Sequence, residues 1–146
     1  MNRVRILSLV FILSVPLLLA APVGGPPEEI TLRGYVVDAM CGRAMAGKGK
    51  AATQAASHTR ACALDKECSA SGYGLMVEGV WHEFDDAGDA TAKAMVTASR
   101  RTRGLLFEVK GTAGEGGFRV ASMKEVDDGA GAPPAKGGGA TPKGKG

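Results

Sequence analysis

The amino-acid sequence predicts a mainly β domain with one helix, its five strands closed into a small barrel. Apolar and polar residues alternate with period two in several short runs, as half-buried strands require. One stretch, residues 90–101, instead places its less polar side chains at helical spacing. The 22 glycines of the 146-residue chain supply the tight turns and sharp coiling that closure of a small sheet demands. An open five-stranded α+β sheet with the same element order is the alternative.

The domain spans residues 30–126, between two segments that cannot contribute to its core. At the N-terminus, Arg3 and Arg5 precede an apolar run over residues 6–19 and the small pair Ala20 and Ala21. That order marks residues 1–20 as a secretory signal peptide. Pro16 interrupts a run already short of the ~20 apolar residues of a spanning helix, so no stable membrane anchor is expected after cleavage. Cleavage fits best after Ala20, because a cut after Ala21 would leave Pro22 first. The expected location is therefore periplasmic or secreted. Residues 21–29 form a linker, and residues 127–146 form a Gly/Pro/Lys tail with no large apolar residue, which cannot offset the entropy of ordering.

The full chain holds 18 basic and 15 acidic side chains; losing Arg3 and Arg5 with the leader leaves 16 against 15. A nearly neutral chain lacks the clustered positive field of a nucleic-acid-binding protein. A domain of this size with so few aromatic residues gains from a covalent or metal staple.

In chain order, residues 30–38 form the first strand, with Ile30, Leu32 and Val36 on one face and Thr31, Arg33, Tyr35 and Val37 on the other. Gly34 falls mid-strand, where glycine often marks a bulge or a bend. Residues 39–71 form an insertion without sustained period; residues 51–60 can make a helical turn or two. Residues 73–77 and 80–84 form a tight hairpin in which Gly79 can take positive φ. Asp85, Asp86 and Gly88 break the sheet, Asp89 caps the helix, and Ala92, Met95, Val96 and Ser99 mark its inner face. Residues 104–112 and 118–126 form a second hairpin around a glycine-rich turn. Strand, insertion, strand, strand, helix, strand, strand is the order of an OB-like barrel.

All three cysteines and one of the two histidines lie in the insertion or at its entry. Cys41, His58, Cys62 and Cys68 form a complete tetrahedral donor set for Zn²⁺, and the thiolates also suit Cu(I). If helix runs through residues 58–62, His58 and Cys62 share a face. Asp38 is placed to orient His58 from behind, or to organise a turn or cap after the strand. The competing reading is one disulfide among Cys41, Cys62 and Cys68 with a spare thiol, since cysteines pair in oxidising compartments. The residues leave both open, together with a redox-active thiol.

The run Gly34-x-Val36-x-Asp38-x-x-Cys41-Gly42, then His58-x-x-x-Cys62-Ala63-x-x-x-x-Cys68, then Gly72-Tyr73-Gly74, resembles a group of small exported bacterial proteins of unknown function. The resemblance covers residues 34–126 and implies an OB-like domain. It supplies no activity to carry over.

Other residues point to structure. His82, beside Trp81, reads as a packed or surface histidine. Asp85, Asp86 and Asp89 lack the spacing of an EF-hand loop and read as turn and cap residues. Tyr35, Tyr73, Trp81 and Phe107 serve a small core before they serve a ligand face. The chain has no Gly-x-Ser-x-Gly elbow, phosphate loop, Cys-x-x-Cys pair or haem motif. The expectation is a non-catalytic metal-binding domain or, alternatively, a disulfide-stapled module that contacts a protein or glycan.

Overall fold

A computed structural model describes residues 27–127. The expectations for the leader, for most of the linker and for the tail beyond residue 127 lie outside the described residues. The elements run β1 (Glu29–Asp38), α1 (Ala39–Met45), α2 (Ala51–Ser57), α3 (Arg60–Ala63), α4 (Lys66–Ala70), β2 (Tyr73–Val77), β3 (Val80–Glu83), α5 (Asp86–Ala98), β4 (Leu106–Gly114) and β5 (Gly117–Glu125). The strand runs expected from alternation all form, and their pairings are antiparallel in the order β3-β2-β1-β4-β5. Among the described residues, no helix is long and apolar enough to cross a membrane.

The expected barrel does not close. Its edge strands, β3 and β5, are not paired: just past β3 there is an isolated Phe84–Phe118 bridge, with Asp85 N–H donating to Phe118 O at 3.3 Å. No ladder joins them, because β3 is four residues long and the chain enters α5 directly after Phe84 and Asp85. The architecture is an open five-stranded antiparallel sheet with several helices, an α+β fold. The single-helix expectation fails as well, since the insertion itself folds into α1 to α4.

Local chemistry accounts for the elements that formed. Glu78 (φ 50°) and Gly79 (φ 91°) both take the left-handed conformation of a two-residue hairpin turn whose twist suits β2 and β3. Gly34 permits close approach: a Cβ there would lie 2.4 Å from Met76 O on the neighbouring strand. Helix α5 starts a turn earlier than expected, because Asp85 rather than Asp89 accepts the capping bond from Gly88 N–H at 2.9 Å.

Strand β1 is buried on both faces toward its end, which splits the core in two. On one face Val36, Leu75, Phe107 and Val109 pack with Ala92 and Val96 of α5. On the other, Val37 and Met76 pack with Ala51 and Ala55 of α2, with Cys41, Met45 and Trp81 alongside. Tyr73 and Phe107 are core residues, and Tyr35 and Trp81 flank the second cluster. Asp38 stands at the last position of β1, where this two-sided burial is greatest, and the chain turns there into the helical insertion.

Candidate metal centre

Three short helices deliver the cysteines by one local device. Asp38 Oδ1 accepts from Cys41 N–H at 2.9 Å and caps α1. Thr59 Oγ1 accepts from Cys62 N–H at 3.1 Å and caps α3. Asp65 Oδ1 accepts from Glu67 N–H at 3.0 Å and caps α4. Each cap leaves a cysteine at the third helical position, so the sequence reads Asp-x-x-Cys, Thr-x-x-Cys, Asp-x-x-Cys.

Long-range bonds hold these helices together. Ala39 N–H donates to Gly72 O, and Met40 N–H to Ser71 Oγ, tying α1 to the segment after α4. Ser71 Oγ in turn donates to Cys68 O at 2.6 Å. Arg60 N–H donates to Thr102 O and Gly104 N–H to His58 O, which fixes the entry to α3. Tyr73 donates its buried hydroxyl to Ala63 O at 2.8 Å, and burial first, then the Asp38 charge, push its pKa up to about 12.

The result is a cluster in which one donor atom each from Asp38, Cys41, Cys62 and Cys68 lies within 4.8 Å of all the others. Asp38 is fully buried and the cysteines are half-buried. Zinc bound to sulfur at ~2.3 Å sets tetrahedral sulfurs about 3.8 Å apart. Cys62 Sγ and Cys68 Sγ already stand 4.0 Å apart. Small side-chain adjustments therefore suffice for the group to hold a metal ion such as Zn²⁺.

His58 lies outside this group of four donor atoms. It ends α2 in an extended conformation (φ −62°, ψ 135°), so no single helix carries it with Cys62. Its Nε2 faces Asp38 Oδ2 at 3.1 Å, with both side chains almost wholly buried. Asp38 Oδ2 and His58 Nε2 have no polar partner but each other, and His58 Nδ1 has none among the described residues. Such orphaned polar atoms beside a donor cluster are what an ion would satisfy. Burial raises the Asp38 pKa, but His58 and the Cys41 N–H outweigh it and hold the carboxyl below its ordinary value. The thiols move the other way: burial, then the Asp38 carboxylate, push Cys41 up to about 12 and Cys68 up to about 11. An ion entering the cluster must expel thiol protons.

The alternative, a disulfide among Cys41, Cys62 and Cys68, is not formed. All three thiols are free, and the 4.0 Å Cys62–Cys68 separation is about twice an S–S bond of ~2.05 Å.

No protein-family model, curated protein or solved structure matches the chain.

The sequence pattern places His58 among the ligands and Asp38 behind it, whereas the folded chain brings Asp38 to the cysteines and His58 to Asp38. The repeated cap-x-x-Cys spacing was the available signal. His82 lies on β3, edge-on to Phe118 with ring centroids 6.5 Å apart, away from the cluster. Asp89 Oδ1 accepts from Tyr73 N–H at 2.7 Å and joins α5 to β2.

Proposed function

We propose that this chain is an exported, non-catalytic zinc-binding domain whose ion is held by Asp38, Cys41, Cys62 and Cys68. The observation that carries the reading is the convergence of these four donor atoms within 4.8 Å, from the end of β1 and three separately capped helices. Three thiolates and one carboxylate supply the four protein donors of a closed zinc site. The carboxylate favours zinc over Cu(I), which takes the thiolates but has little use for a hard oxygen donor. With all four positions filled by protein, the ion has no open site for substrate, which supports a structural or ion-carrying role. Export rests on the basic, apolar and small-residue order of residues 1–21.

Metal analysis of untagged protein recovered from the periplasm tests the reading. One equivalent of zinc, lost in Cys41→Ser and Asp38→Ala, is the expected result. Sub-stoichiometric zinc and copper together with metal-insensitive stability overturn it.

A further inference from the structure

We propose that Cys62 and Cys68 form a redox pair: on oxidation by a peroxide they join as a disulfide and expel the ion, leaving Cys41 a single thiol. The inference rests on the zinc reading above and adds a means of control to the same site.

Distance permits the pair, and the shallow burial of α4 singles it out. Its sulfurs are 4.0 Å apart, and joining them requires an approach of about 2 Å. Helix α4 carries Cys68, is five residues long and contributes no buried residue to either core. A helix that short has almost no stability of its own. Cys41 is held differently. Its backbone is bonded to the fully buried Asp38, and its side chain packs against the cluster of Val37, Ala51, Ala55 and Met76. Moving Cys41 toward either partner would disturb the sheet's second core, whereas moving Cys68 toward Cys62 strains only the Ser71 link between α4 and α1.

The chemistry balances with hydrogen peroxide. One thiolate attacks the O–O bond, and with one proton gives a sulfenic acid and water. The second thiol attacks that sulfur, the S–O bond breaks, and a second water leaves as the S–S bond forms. Two electrons pass from the sulfurs to the peroxide. The ion loses two of its three sulfur ligands in the same event and departs hydrated. A bound ion that holds the two sulfurs at tetrahedral separation opposes this closure, so the metal-free site is the faster to oxidise.

The test treats the full mature chain, reduced and metal-free or zinc-loaded, with hydrogen peroxide, followed by alkylation, intact mass and peptide mapping. The expected result is loss of two hydrogens, a Cys62–Cys68 link with Cys41 alkylated, release of zinc in step with the link, and several-fold slower oxidation of the zinc-loaded form. Cys41→Ser should still form the link, and Cys68→Ser should leave a sulfenic acid at Cys62 that dimedone traps. Zinc uptake by the reduced protein with a link through Cys41, or with no link, overturns this inference and spares the zinc reading. Absence of zinc uptake by the reduced protein overturns the zinc reading and, with it, the expulsion step.

Discussion

Asp38 serves two groups at once: one oxygen caps α1 through Cys41 N–H, and the other faces His58 while the carboxylate stands among the thiols. Asp38→Asn keeps an oxygen for the cap but removes the charge, so zinc affinity should fall more than helix order. His58 acts through Asp38, and loss of such an outer partner typically costs ~10–100-fold in metal affinity. His58→Gln is expected to weaken zinc in a chelator competition by that factor while leaving the tetrahedral thiolate spectrum of the Co²⁺-loaded protein unchanged. A changed Co²⁺ spectrum would mean that His58 itself binds the ion. The thiols were legible from residue type alone. Asp38 was legible as a cap and as a neighbour of the site, through its Asp-x-x-Cys spacing, but its full burial among the thiols was not, because that depends on long-range packing around the end of β1. His82 offers a separate check, since burial holds its pKa below the ordinary 6.5. The unfolded chain binds that proton more readily, so this contribution is complete above pH 6.5 and is lost as pH falls toward the folded value. His82→Leu should lose less stability than the parent between about pH 7.5 and 5.5 in urea unfolding; equal losses would remove His82 as the cause.

The strands and α5 were legible because each carries its period over enough residues, and the hairpin at Glu78 and Gly79 because turn chemistry is local. Helices α1 to α4, four to seven residues each, are shorter than the window in which a 3.6-residue period declares itself. Caps mark α1, α3 and α4, whereas α2 has no side-chain cap and shows only as the helix-compatible composition of residues 51–60. Barrel closure was illegible for another reason: it depends on whether two strands distant in sequence extend far enough to pair, and β3 stops after four residues. At this scale Trp81 joins the insertion to the sheet. A Cβ at Gly42 would lie 2.3 Å from its ring, and one at Gly74 2.5 Å, so the indole is packed against both backbones. Gly42→Ala should cost ~1–3 kcal/mol by overpacking, and Trp81→Leu in the same chain should recover part of it. Additive losses in that double-mutant cycle would break the link. On α5, Asp85→Ala removes the cap at a cost of ~1 kcal/mol. Asp89→Ala strands the Tyr73 N–H, at ~1–3 kcal/mol, and thermal unfolding should rank it the more damaging.

The molecule as a whole joins a sheet with its own two cores to an insertion whose parts depend on it unequally. Strand β1 is bonded to β2 and β4 along its length, and its apolar residues pack against α5 on one side and α2 on the other. That portion has the burial to remain folded without an ion. Helices α1 and α2 each bury two residues, α3 buries Ala63 alone, and α4 buries none. Isolated helices of this length are unstable in water, so α3 and α4 must draw their order from Tyr73, from Ser71, from the backbone bonds at Arg60 and Gly104 and, when present, from the ion. Chelation should therefore act locally rather than unfold the chain in one step. Native-state hydrogen exchange after zinc removal should show the greatest loss of protection across α3 and α4, a smaller loss in α1, and near-constant protection for the β1–β2 and β1–β4 ladders. Cys68→Ser with zinc present should reproduce the α4 part of that pattern, since it cuts the one covalent tether between that helix and the ion. Uniform loss across sheet and insertion would instead mean that the ion governs the whole fold, and that neither core stands without it.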